Sequence, residues 1–112
     1  MDFTINKEHG VLVLALKGSL LADVQSKEIL QAASDHIQNN ETKFVVDLKD
    51  LKFINSSGLG MMLTLLTKSR KSGGDVALAN VPEQVNNLLV ITKLTAIFKT
   101  GDSVEEAVKL LA

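Results

Sequence analysis

The first residues of the chain alternate: Phe3 and Ile5 are apolar, Thr4 and Asn6 polar, which predicts a half-buried strand over Phe3–Lys7. Val11 to Leu16 is a more continuous apolar run and predicts a second strand. Only the turn at His9-Gly10 separates the two, so they form an antiparallel hairpin, which Gly18-Ser19 ends. Asp23 is a candidate helix N-cap. Beyond it Ile29, Leu30, Ala33 and Ile37 recur at helical spacing, with Lys27, Glu28, Gln31 and Asp35 on the other side, until Asn39-Asn40 stops the helix. Lys43–Leu48 contains Phe44-Val45-Val46, aromatic and β-branched, and predicts the most buried strand.

A second helix is predicted from about Ser57 to Lys71. Leu59, Met62, Leu63 and Leu66 form a stripe at i, i+3, i+4 and i+7, expected to face the sheet, while Met61 and Leu65 point elsewhere. Ser72-Gly73-Gly74 closes this helix. Val76–Ala79 reads as a strand, and Pro82 as the first-turn proline of a helix with Val85, Leu88 and Leu89 on its apolar face. Ile97-Phe98 is a candidate short edge strand. Ser103, with Glu106 three residues later, is a capping box for a last helix carrying Val104, Ala107, Val108 and Leu111 on one side. The order ββαβαβα(β)α predicts an α/β fold in one domain over residues 1–112: a mixed sheet of four or five strands, parallel over its later strands, with four helices packed on it.

Hydrophobic residues make up 46% of the chain, which is enough for a real core, and with four Phe and neither Trp nor Tyr that core must be aliphatic. The net charge of −1 leaves no electrostatic footprint for direct nucleic-acid binding. The densest basic run, Lys68-Ser69-Arg70-Lys71, falls where it complements a helix C-terminus. Without Cys there is no disulfide or thiolate metal site. The apolar runs fall short of the roughly 20 residues of a membrane span, and the first residues lack the shape of a secretory signal, so a cytoplasmic location is expected. His9 and His36 have no second ligand at metal spacing, and no metal or other cofactor is expected. Asp47 and Asp50 bracket a strand end among lysines. No nucleophile elbow, P-loop or dinucleotide fingerprint is present. An enzyme or nucleotide-binding protein is therefore disfavoured, and no small-molecule substrate is expected.

What remains is the stretch from Asp47 to Leu66, centred on Ile54-Asn55-Ser56-Ser57-Gly58-Leu59-Gly60. A strand runs in and an apolar helix runs out. The first amides of that helix have no intrahelical partner and stand at the positive end of its dipole, so the junction tolerates an anion beside two hydroxyls. One account is structural: Asn55 or Ser56 caps the helix, and Gly58 and Gly60 allow close packing. The other is functional: a hydroxyl at the helix tip, beside a second apolar patch at Met61 and Leu65, switches a protein interface.

The run Asp47-Leu48 … Leu51 … Phe53-Ile54-Asn55-Ser56-Ser57-Gly58-Leu59-Gly60 resembles the signature of the STAS domain, in particular of bacterial anti-sigma factor antagonists of the SpoIIAA and RsbV type. That pattern is a strand, then (Asp/Asn)-Ser-(Ser/Thr)-Gly-(Leu/Ile)-Gly, then a helix. The likeness extends over nearly the whole chain, through the ββ start, the Gly73-Gly74 turn before a strand and the capped last helix. It implies an anti-sigma factor antagonist. The unphosphorylated form binds an anti-sigma factor serine kinase and frees the sigma factor, ATP-dependent phosphorylation ends binding, and a serine phosphatase restores it. The acceptor implied here is Ser56, with Ser57 the alternative. The implied partner surface comprises Asn55, Ser56, Ser57, Gly58, Leu59 and Gly60, with Met61 and Leu65 alongside and Asp23 from the loop after the hairpin. Two departures stand out. Asn55 occupies a place where well-known members carry Asp, and the acid of the family's Gly-x-Leu/Ile-Asp order sits instead at Asp23. The alternative within the same family is a non-phosphorylated adaptor, such as a stress-complex scaffold or the soluble partner of a lipid-transport ATPase, working through the Met61 and Leu65 patch.

Overall fold

The computed structural model describes residues 2–20 and 23–111, and of Leu20 and Asp23 the backbone only. Strand β1 (Asp2–Glu8) turns through His9-Gly10 into β2 (Val11–Leu20), and Glu8 pairs with Val11. Both turn residues have positive φ, 51° and 79°, the two-residue turn whose twist matches the hairpin's. Then follow α1 (Asp23–Gln38), β3 (Lys43–Ile54), α2 (Ser56–Lys71), β4 (Asp75–Ala79), α3 (Glu83–Ile91), β5 (Lys99–Gly101) and α4 (Val104–Leu111). The five strands lie side by side in the order β1-β2-β3-β4-β5, with β1 antiparallel to β2 and the other pairs parallel. This is the mixed sheet with four helices that the patterning predicts.

Strand residues alternate between two cores because successive side chains leave opposite faces. Leu12, Leu14, Leu16, Phe44, Val46, Leu48, Val76 and Leu78 pack with Ile29 and Ala33 of α1, the apolar side of α2, and Val85 and Leu89 of α3. Val11, Val13, Val45, Ala77 and Ala79 face the other way, against Ala107, Val108 and Leu111 of α4. The alanines there let a short helix sit close to the sheet. Ser103 caps α4: its Oγ accepts from the Glu106 amide at 3.1 Å.

The structure corrects four expectations. Strand β3 continues six residues past Leu48, to Ile54, and β2 continues to Leu20. Two irregularities in the β2–β3 register, each leaving an extra residue on β3, break the alternation that would mark Lys49–Ile54 as strand. The last strand is Lys99–Gly101, not Ile97-Phe98; Phe98 is a core plug, 4% exposed, in the turn that leads to it. Pro82 is the N-cap of α3 rather than its first helical residue. Met61 and Leu65 do not form an outer patch: they are 3% and 0% exposed and belong to the main core, whereas Leu63 of the expected stripe is only partly buried. The reason is that α2 is covered on two sides, by the sheet beneath it and by α1 alongside, so its buried arc is wider than one stripe.

Candidate functional site

Among the described residues, strand β3 pairs with β4 only from Lys43 to Asp47; beyond that it pairs with β2 alone, as far as Leu20 opposite Ile54. The β2–β3 pair thus projects as an arm past the end of the sheet, and the Asn55-Ser56 junction stands at its tip. Asp47 fixes the point of departure. One of its carboxylate oxygens accepts from the Lys49 amide and from Asn80 Nδ2, both at 3.1 Å, joining β3 to the segment after β4. The Gln84 side chain donates to the Lys52 carbonyl and holds α3 against the arm. Sequence reasoning places Asp47 at a strand end without giving it this role, and passes over Gln84. An aspartate accepting from the amide two residues on is a recognisable turn signal, which Asp47 fits; Gln84 carries no such mark.

Asn55 leaves the strand with extended backbone, φ −108° and ψ −177°, and caps α2: its Oδ1 accepts from the Gly58 amide at 3.0 Å. Its carbonyl accepts the first helical bond, from the Leu59 amide at 3.0 Å. Ser56 and Ser57 are the first two residues of the helix, and both are exposed. Gly58 and Leu59 are buried beneath them, and Leu59 anchors the turn in the main core. The first turn of α2 contains no acidic residue, while Lys68, Arg70 and Lys71 crowd its last turn. The dipole's positive end is therefore not offset by a carboxylate within that turn.

Of the positions expected at a partner surface, the structure brings Asn55, Ser56, Ser57 and Gly60 together at or near the surface. It puts Gly58, Leu59, Met61 and Leu65 in the interior, where they position the junction and cannot themselves be an exposed patch. Asp23 is the first residue of α1, and its side chain lies outside those described. Phe53, which the family-like run includes but the expected partner surface does not, is 61% exposed two residues before Asn55.

Two carboxylates held below their usual range lie at the other end of the sheet. Asp75 opens β4; its carboxyl is raised by burial but held below the usual carboxylate range overall by the Val76 amide, Lys99 and Arg70. Glu41 precedes β3 and is lowered by hydrogen bonds from His36 and Lys7. Among the described residues no group of three His, Asp or Glu could hold a metal ion, and no helix is long and apolar enough to cross a membrane.

A layered sheet with a capped, hydroxyl-bearing helix start at the end of a central strand matches the STAS domain, whose family pattern spans residues 2–107. The chain belongs to the STAS domain family. The anti-sigma F factor antagonist of Paenibacillus polymyxa is 33% identical over 107 residues, covering 92% of this chain and 90% of that protein. The crystal structure of a candidate anti-sigma factor antagonist from Thermotoga maritima superposes with a TM-score of 0.89 at 25% identity, over 97% of this chain and 93% of that one. The Bacillus cell-fate determinant SpoIIAA in its phosphorylated form shares the fold, with a TM-score of 0.78 at 21% identity over 97% and 98% of the two chains.

Proposed function

We propose that this chain is an anti-sigma factor antagonist whose docking to an anti-sigma factor serine kinase is switched off by phosphorylation of Ser56. The observation that carries this reading is the exposed Ser56 hydroxyl on the first turn of α2, above a buried Leu59 and behind an asparagine cap. A kinase can reach it without unfolding anything. In the transfer, Ser56 Oγ forms a bond to the γ-phosphorus of ATP, the bond to the β-phosphate bridging oxygen breaks, ADP leaves, and the hydroxyl proton passes to a base of the kinase. The chain itself supplies only the acceptor and acts on transcription indirectly, through the freed sigma factor. A serine phosphatase reverses the change by hydrolysis.

The added group carries a charge of about −1.5 to −2. The positive end of α2 accommodates it, so the domain stays folded. A partner carboxylate about 5 Å away repels each added charge by about 3 kcal/mol at an effective dielectric near 20. Since about 1.4 kcal/mol is tenfold in affinity, half of that repulsion weakens the complex about tenfold. The burial of Met61 and Leu65 takes the expected apolar patch from this reading and from the adaptor alternative alike; the exposure of Ser56 is what favours the switch.

The test uses the kinase retained by this chain from native cell lysate, identified and then purified as a recombinant protein. With ATP, mass spectrometry should find one phosphate on the wild type and on Ser57→Ala, and none on Ser56→Ala. Calorimetry should find tight binding before phosphorylation and at least about tenfold weaker binding after it. Continued single phosphorylation of Ser56→Ala would move the acceptor to Ser57. Equal binding of the two forms would end the switch.

A further inference from the structure

Gly60 is the fifth residue of α2, one turn beyond Ser56 and on the same side of the helix. Glycine is among the poorest residues for a helix interior, so its presence calls for a reason. The fold does not provide one. A Cβ built at Gly60 meets nothing within 4 Å outside its own stretch of helix, and Gly60 is not among the glycines with positive φ. Gly74 and Gly101 show the contrast: an added Cβ would fall 1.9 Å from the Thr42 carbonyl oxygen at the first and 2.8 Å from the Ala107 amide at the second. Close packing, the account that serves those two, does not serve Gly60.

We propose that Gly60 is a clearance residue for the docked partner, its missing side chain leaving the space through which the anti-sigma factor kinase reaches Ser56. The inference rests on the function proposed above. A phosphoryl donor must come within about 3–3.5 Å of the Ser56 hydroxyl oxygen before transfer. One helical turn is about 5.4 Å along the axis, so a kinase that seats Ser56 from the side of α2 passes its rim over the backbone at Gly60. A side chain there stands between the two surfaces. The Gly60 carbonyl is already engaged by Thr64 Oγ1 at 3.0 Å, so the assigned role is one of shape rather than hydrogen bonding.

The test compares wild type with Gly60→Ala, Gly60→Leu and Lys71→Ala, the last an exposed position at the far end of α2. Thermal unfolding of the chain alone should show Gly60→Ala at least as stable as wild type, with a Tm higher by about 3 °C. Phosphorylation of Ser56 by the purified kinase should go the other way. Its kcat/KM should fall at least about tenfold for Gly60→Ala, because a methyl group forced into a packed contact is costly, and further for Gly60→Leu. Lys71→Ala, far from Ser56, should match wild type in the rate of phosphorylation. Wild-type rates in a folded Gly60→Leu protein would overturn the assignment while leaving the Ser56 switch intact. A Tm well below wild type for Gly60→Ala would also overturn it, by giving the glycine a structural purpose. A wild-type chain that the kinase neither binds nor phosphorylates would overturn the parent proposal, and this one with it.

Discussion

Asn55 can be separated into an acceptor and an absent charge, and each has a calculable weight. Asn55→Ala removes the oxygen that accepts from the Gly58 amide at 3.0 Å, leaving that half-buried donor without its cap. Loss of such a cap costs about 1 kcal/mol, within a range of roughly 0.5–2. A chain of 112 residues has an unfolding entropy of about 0.23 kcal/mol per degree at its midpoint, at about 2.1 cal/mol/K per residue, so the Tm should fall by about 4 °C. Asn55→Asp keeps the acceptor and adds a negative charge at the end of α2 whose first turn has none. That interaction contributes about 0.3–1 kcal/mol, hence a rise of about 1–4 °C at pH 7. A carboxylate so placed has its folded pKa depressed below the unfolded value near 3.9, so the gain is present above about pH 4 and disappears as the pH falls through the folded pKa. The assay is scanning calorimetry of the three proteins at pH 7 and pH 3. An unchanged Tm for Asn55→Ala, or an Asp variant less stable than the asparagine protein at pH 7, would refute the account of this helix start.

Two further outcomes follow from the packing and the ion pairs. Met61→Ala and Leu65→Ala should each lower stability by about 2–5 kcal/mol, read from the urea midpoint, because both side chains are in the core; a variant that keeps full stability yet loses partner binding would return that residue to the surface. Asp75→Asn should cost about 1–2 kcal/mol at pH 7, since Arg70 and Lys99 are half exposed and the pairs are partly screened. Because the folded pKa of Asp75 is depressed, its contribution is full above the unfolded value near 3.9 and is lost as the pH drops below it. The variant's stability should therefore fall less steeply in acid than that of the wild type, and parallel acid limbs would count against the pairing.

Much of this architecture could be read in advance because local and tertiary preferences agree. His9-Gly10 adopts the two positive φ values that a two-residue hairpin turn needs, and Phe44-Val45-Val46 is buried in the sheet centre as its composition demands. The junction was legible for the same reason: Asn55 is a good cap, and two serines after a strand have few roles other than capping and exposure. The failures have physical causes. Lys49, Asp50 and Lys52 are too polar to look like strand, and only the register irregularities accommodate them. The stripe expectation misplaces Met61 and Leu65 because one stripe is the whole buried arc of a helix with one neighbour but not of one lying on a sheet beside a second helix. Phe98 fits a strand pattern from sequence because an aromatic next to isoleucine satisfies that pattern as readily as it fills a core.

The arm has a consequence for behaviour in concentrated solution. Past Asp47, β3 has a strand partner on one flank only among the described residues, so its other flank offers backbone groups to any extended segment that drifts by. Lys49 and Lys52 are exposed there, the two bulges bend the line of donors and acceptors, and Gln84 occupies the Lys52 carbonyl. Each of these hinders a second molecule from continuing the ladder. The polar residues that hide the strand from a sequence reader are the same ones that keep it from recruiting copies of itself.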